Sequence, residues 1–206
     1  MPAPATAGSP ELILASTSVY RRQLLERLHL RFRVCSPGTD ETAQPDESPA
    51  ALARRLALAK AGAVAALEPA AVVIGSDQTA TLDGRGVIGK PGSLARAREQ
   101  LRAASGRQLT FHTALAVVCL ARQFSRVEVI DTRVRFRELS DAAIERYLAL
   151  EPAFDCAGSA KAEGLGIALM SGFESADPTA IVGLPLIALN HMLREAGIDA
   201  LGQPAP

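Results

Sequence analysis

The chain has 206 residues, 48% of them apolar, and its 22 basic residues are balanced by 22 acidic ones. That length suits one domain with a sizeable core, and the zero net charge argues against a nucleic-acid-coating protein or a membrane-surface helix. The longest apolar run, Ala114 to Ala121, is far short of the roughly 20 residues that a transmembrane helix needs.

Apart from Met1 and Thr6, residues 1–10 are Ala, Pro, Ser and Gly without a basic segment, so they read as a loose tail rather than a secretory leader. Leu12 to Ala15 is a short apolar run, the pattern of a strand covered on both faces. It breaks into Ser16, Thr17 and Ser18, all good N-cap residues, and a helix with Leu24, Leu25 and Leu28 on one face is expected next. Arg21 and Arg22 fall in the first turn of that helix, where the dipole already places partial positive charge. Either both point into water, or an anion held by hydroxyls, helix N–H groups and guanidinium forks compensates them.

Phe32 to Cys35 reads as a second strand, followed by a polar loop from Ser36 to Ser48. Within that loop Asp46 and Glu47 are expected to be solvated, whereas Asp40-Glu41 could supply carboxylate oxygens to a divalent cation. Ser48-Pro49 starts a helix running to about Leu67, with Leu52, Leu56, Ala63 and Leu67 on its apolar face. Lys60 falls on the same face, and Arg54 and Arg55 point elsewhere. Lys60 therefore either snorkels from the core or presents its ammonium to a site. Only Lys60, Lys90 and Lys161 are lysines, and the other 19 basic residues are arginines. A compact, flexible ammonium is thus kept at three positions in an arginine-rich chain.

Ala71 to Gly75 is a further buried strand, and its end should deliver Ser76-Asp77-Gln78 to a ligand site. Thr79 to Gly89 suggests a hairpin turning at Asp83-Gly84. Gly89-Lys90-Pro91-Gly92 presents one lysine on a tight path, and a helix follows from Ser93 to Ser105. Gln108 to Leu120 and Arg126 to Arg137 read as antiparallel strands, the second alternating apolar and charged residues. A helix from Ser140 to Leu150, a glycine-spaced loop from Cys156 to Gly166, a loop from Phe173 to Thr179 and a helix from about Pro185 to Ala196 complete the domain, 11–202, before a short tail at 203–206. The three histidines and the cysteines Cys35, Cys119 and Cys156 show neither nucleophile pairing nor zinc spacing, which fits structural roles and a reduced, cytoplasmic setting.

In this order S-T-S-V-Y-R, D-E-T, Lys60, G-S-D-Q and G-K-P-G resemble the Maf family of nucleoside triphosphate pyrophosphatases. The resemblance implies a single α/β domain, an elongated mixed sheet flanked by helices with two lobes around a nucleotide cleft. It places Ser16, Ser18, Arg21, Lys60 and Lys90 on the triphosphate, Asp77 as general base with a metal-ligand role physically close, and Glu41 on a divalent cation, Mg²⁺ or Mn²⁺. Val19-Tyr20-Arg21, Gly75-Ser76-Asp77-Gln78, C-A-G-S-x-K-x-E-G at Cys156 to Gly164 and D-P-x-x-x-V-G-L-P-L at Asp177 to Leu186 are most similar to the branch acting on 7-methyl-GTP. That branch commonly has tryptophan where Tyr20 stands. Tyr20 would offer a ring to the cationic base, Glu163 a carboxylate to its N–H edge and Gln78 an amide. Tyr20 and Gln78 argue against the dTTP/UTP branch, and a non-catalytic nucleotide-binding regulator of cell division is the reading from a different class. The expected partner is a modified nucleoside triphosphate, with no membrane and no nucleic acid, and a homodimer is compatible.

Overall fold

In the computed structural model, which describes residues 10–202, Leu12–Ala15 forms β1, buried along its whole length. The expected tails at 1–10 and 203–206 lie outside the described residues apart from Pro10. β1 pairs in parallel with β2 (Arg33–Cys35) on one side and with β3 (Val72–Thr81) on the other. β3 then runs antiparallel to β4 (Gln108–Cys119), β4 to β5 (Phe124–Phe136) and β5 to β6 (Met170–Ser175). The result is one mixed six-stranded sheet, β2-β1-β3-β4-β5-β6.

Two expectations about strands are corrected. Phe173 to Thr179 is not all loop, because Phe173 to Ser175 complete β6 against Thr132–Val134 of β5. The glycine and serines of Met-Ser-Gly-Phe-Glu-Ser mask its strand character, which comes from the partner's free edge. The 79–89 hairpin shrinks to a single bridge, Ala80 to Ile88, because β3 uses its other edge along β4 as far as Thr81.

Helix α1 (Val19–Glu26) is capped by the Ser18 hydroxyl, and α2 (Pro49–Leu67) by Ser48 with proline in the first turn. Helices α3 (Leu94–Ala104), α4 (Asp141–Leu150) and α5 (Leu186–Glu195) follow. On one sheet face α2 packs Ala53, Ala57, Ala61 and Val64 onto Ile13, Val73 and Ala114. On the other, Leu24 and Leu25 of α1 meet Leu189, Met192 and Leu193 of α5 over Leu14, Ile74 and Leu115. Beyond the reach of β1, the extended strands carry a further core, where Leu101, Ile144, Tyr147 and Leu148 cover Leu109, Phe111 and Phe136. Leu67 departs from its expected place on the apolar face and is 76% exposed, at the last turn of α2.

The junction of these cores is where the polar residues gather. β1 pairs with β3 only as far as Ile74, so the backbone of β3 beyond that point has β4 on one side and a notch on the other. Ser76, Asp77 and Gln78 therefore lie in the middle of a ten-residue strand, not at its end. The expected strand end belongs to β1, whose termination at Ala15 opens the notch.

Candidate active site

Alternation along β3 decides which side chain reaches which face. Gly75, Asp77 and Thr79 face α2, and Thr79 Oγ1 donates to Pro49 O at 2.8 Å. Gly75 lets α2 come close, because a Cβ there would lie 2.7 Å from Ala61 N, 2.9 Å from Ala61 Cβ and in collision with Ala57 O. This approach brings Lys60 to Asp77: the Nζ to Oδ1 distance is 2.7 Å, with Lys60 5% and Asp77 7% exposed. The same ammonium reaches Glu41 Oε1 at 2.6 Å, and that glutamate is largely open to solvent. The Lys60 ammonium does not snorkel into water: it is held by Asp77 and Glu41, and its stem lies in the core face of α2.

The shared cation draws both carboxylate pKa values down, and unequal burial drives them apart. Burial raises the pKa of Asp77, against the pull of Lys60 and Arg21. The Lys60 hydrogen bond lowers that of Glu41, with Lys90 and Arg21 adding to the effect. Two acids with diverging pKa values beside one cation are the arrangement that separates a proton-accepting group from a permanently charged one.

Arg21 turns inward from the first turn of α1. Its Nε donates to Gly183 O at 2.9 Å and its Nη1 lies 3.5 Å from Ser16 Oγ, while Ser18 N donates to Ser16 Oγ at 3.1 Å. Ser76, on the opposite face of β3 from Asp77, donates to the same Gly183 carbonyl at 2.8 Å. Gly183 accepts both at φ 112°, a conformation that favours glycine. Arg22 takes the other fate considered for this pair, an exposed ion pair with Glu26. Lys90 is exposed on a loop held by Gln100 Nε2 donating to Gly89 O at 3.0 Å and by Gly92 N donating to Phe154 O at 3.1 Å. Ser16, Ser18, Arg21, Glu41, Lys60 and Asp77 thus form one cluster, with Lys90 within electrostatic reach of Glu41.

Of the three residues expected at the base, Tyr20 and Gln78 have protein partners and Glu163 is open to solvent. Tyr20 OH donates to Asp155 Oδ2 at 2.7 Å, and the Lys161 ammonium sits 5.4 Å from its ring centroid while also bonding Asp155 Oδ1 at 3.1 Å. Gln78 faces away from Asp77, and its amide nitrogen is engaged by Thr113 Oγ1, Ala180 O and Ile181 O at 2.9–3.1 Å. Glu163 is exposed at a hollow of about 280 Å³ that also touches Arg27, Phe173 and Val182. Val182 in its lining immediately precedes Gly183, the Arg21 acceptor.

Several contributors are not apparent from pattern alone. Asp177, 2% exposed, accepts from Thr179 N, Thr179 Oγ1, Ile187 N and Ala188 N, which pins the turn carrying Gly183 to the start of α5. Its Asp-Pro-Thr context is a capping signal that could have been read. Glu47 is a correction: its side chain is only 9% exposed, because Arg55 grips it with Nε and Nη2, both at 2.7 Å. The helical register turns Arg55 away from the core but toward the loop, so neither residue is simply solvated. Burial pushes the Cys156 thiol up to about 12, which suits a structural role.

Among the described residues no group of three or more His, Cys, Asp or Glu side chains could hold a metal unaided. Glu41 and Asp77 each bond Lys60 through one oxygen, leaving Glu41 Oε2 and Asp77 Oδ2 as candidate ligands. Two carboxylates completed by substrate phosphates fit a hard, oxygen-seeking divalent cation. Thr39, two residues before Glu41, also has a buried hydroxyl without a protein partner.

No helix among the described residues is long and apolar enough to cross a membrane. Proteins called 7-methyl-GTP pyrophosphatase from Bordetella avium, Burkholderia pseudomallei and Albidiferax ferrireducens are 58%, 56% and 54% identical to this chain. The alignments cover 96%, 96% and 93% of this chain and 98%, 93% and 96% of the relatives, respectively. Among solved structures, the Staphylococcus aureus Ham1 protein aligns over 61% of this chain and 71% of its own with a TM-score of 0.43 and 16% identity, too little to carry an argument. The family described as Maf-like protein matches residues 11–196, and the chain belongs to that family.

Proposed function

We propose that this chain hydrolyses the α-β phosphoanhydride of 7-methyl-GTP to 7-methyl-GMP and diphosphate. The observation that carries the reading is the buried Asp77–Lys60 pair opening onto Ser16, Ser18 and Arg21, in a chain 54% to 58% identical to relatives of that name. Arg21, the two serine hydroxyls and the free N–H groups of α1 receive the triphosphate, with Lys60 and Lys90 as point charges. Asp77 orients a water and takes its proton, a role that its raised pKa favours because a stronger base accepts the proton more readily. Glu41 stays anionic on Lys60. Mg²⁺ or Mn²⁺ held by Glu41 and Asp77 would offset charge on the phosphates.

On the base side, the ring of Tyr20 already attracts one cation, the Lys161 ammonium, which supports an affinity for the positive charge that N7-methylation places on guanine. Glu163 adds a carboxylate for the N–H edge of the base. The test is diphosphate release from 7-methyl-GTP, GTP, dTTP and UTP, with Mg²⁺ and with chelator. Hydrolysis of 7-methyl-GTP ahead of the others, lost on chelation, is expected. Equal or better turnover of dTTP or UTP would move the chain to the other substrate class, and no release from any of them would leave a nucleotide binder.

A further inference from the structure

Glu41 sits in the stretch from Ser36 to Ser48, which has no helix or strand of its own. Its side chain reaches Lys60 of α2, but a side-chain contact to an exposed carboxylate does not hold a backbone. What holds the backbone comes from one turn earlier on the same helix. Arg55 Nη2 donates to Thr42 O at 3.0 Å, the carbonyl immediately after Glu41. Through Nε and Nη2 the same guanidinium grips both oxygens of Glu47, and Gln44 N donates to Glu47 Oε2 at 3.1 Å. The other flank of Glu41 is fixed locally, since Asp40 Oδ1 accepts from Thr42 N at 2.9 Å and from Thr42 Oγ1 at 2.7 Å. The Arg55 fork holds the Glu47 carboxyl down to about 2, so the grip persists throughout the neutral range.

We infer that Arg55 and Glu47 are positioning residues for Glu41, a planar clamp that sets where the Glu41 carboxylate meets Lys60 and the substrate's phosphates. This rests on the pyrophosphatase reading for its effect on turnover, though not for its effect on the loop. An arginine is required because one guanidinium must reach three acceptors, Thr42 O and both Glu47 oxygens, in one plane. A lysine cannot span them. Neither residue touches the triphosphate ligands Ser16, Ser18 and Arg21, so their loss should act on turnover rather than on substrate affinity.

The experiment uses the full chain with Arg55→Lys, Glu47→Gln, Glu41→Gln, the double variant Arg55→Lys/Glu41→Gln, and Arg54→Ala as a neighbouring control. Partners that orient a ligand from behind typically contribute about 10- to 100-fold to activity. Arg55→Lys and Glu47→Gln should each lower kcat on 7-methyl-GTP by about that range with KM little changed, and Arg54→Ala should match the parent. In the Glu41→Gln background, Arg55→Lys should have no further effect, because the clamp acts through the carboxylate already removed. Amide hydrogen exchange across 36–48 needs no substrate and should accelerate in Arg55→Lys and Glu47→Gln. Unchanged exchange overturns the inference whatever the activity shows. An equal loss of kcat with and without the Glu41 carboxylate overturns it as well. A parent enzyme that hydrolyses none of the nucleotides tested, with exchange accelerated in the variants, would instead retain the clamp and reject the pyrophosphatase reading.

Discussion

Replacing Lys60 with methionine tests the electrostatic core of the site while keeping most of the apolar stem. The ammonium lies 2.7 Å from Asp77 and 2.6 Å from Glu41. At an effective dielectric of about 20, a pair at the Asp77 distance attracts by about 6 kcal/mol, and desolvating the ammonium offsets a large part of that. Breaking such a buried pair by removing one partner typically costs about 3–5 kcal/mol. The cost falls on Asp77: the Glu41 side chain is 61% exposed and turns into water, whereas the Asp77 side chain, 11% exposed, cannot. In a domain of this length each kcal/mol shifts the melting temperature by about 2–4 °C, so a deficit of about 6–20 °C is expected at neutral pH.

The pH dependence carries the diagnosis. Both causes through which Lys60 acts on Asp77 lower its pKa, so their loss raises further a value that burial already raises. A group whose folded pKa lies above its unfolded value contributes stability below the unfolded pKa and loses it as pH rises through the folded one. The variant should therefore approach the parent's stability in acid and fall behind as pH rises through the elevated pKa of Asp77. Thermal unfolding between about pH 4 and about pH 8 reads this. The acid limb of kcat/KM should move to higher pH in parallel, as far as residual activity allows. A melting deficit constant across that range would assign the loss to packing and refute the charge argument.

Asp77→Asn should lower kcat by about 10²- to 10⁴-fold, the usual contribution of a general base. Because burial raises the pKa of Asp77, the neutral amide should leave the melting temperature equal to or above the parent's, and a marked fall would contradict this. Gly75→Ala forces a Cβ into Ala57 and Ala61 of α2. Overpacking of that kind costs about 1–3 kcal/mol, and the displaced Lys60 should lower kcat as well, read by calorimetry and turnover together. Tyr20→Phe removes the Asp155 hydrogen bond but keeps the ring that faces Lys161. It should preserve the preference for 7-methyl-GTP over GTP better than Tyr20→Ala, and equal losses in the two variants would remove the ring from base selection.

The fold was legible where pattern and environment coincide. The apolar run Leu12–Ala15, the serine caps of α1, α2, α3 and α4, and the alternation of β5 each state their structure locally. β6 was not legible, because Met170 to Ser175 carry little strand propensity and pair only once β5 presents an edge. The extent of β3 is hidden for a related reason: polar Ser76, Asp77 and Gln78 look like a strand's end, yet β4 supplies partners for all three. Lys60 was readable from helical register, since the face holding Leu56 also holds the lysine. The Arg55–Glu47 grip was not, because it depends on how the loop folds back over seven intervening positions. Likewise Tyr20, Asp155 and Lys161 meet across more than 130 residues of chain, and no local spacing announces the contact.

The placement of the site within the sheet follows from one change of strand direction. β1 and β2 run parallel to the first half of β3, so their ends open a notch into which α1 directs its N-terminus. β3 continues past that notch because β4 pairs with it in the antiparallel sense. A carboxylate can therefore project from the middle of a rigid strand, with α2 above it and Gly75 admitting the helix. On the proposed function, this rigidity matters because the anionic triphosphate arrives beside a carboxylate that cannot retreat. Added negative charge near Asp77 raises its pKa in the same direction as burial does. The substrate thereby strengthens the base that deprotonates the attacking water, while Lys60 favours the ionised form of that base in the free enzyme. Glu41, exposed and positioned by Arg55 through its loop, is the carboxylate that would meet the phosphates from the solvent side. On the proposed function, a buried, fixed carboxylate takes the proton and a more exposed one faces the phosphates, with one lysine bonded to both.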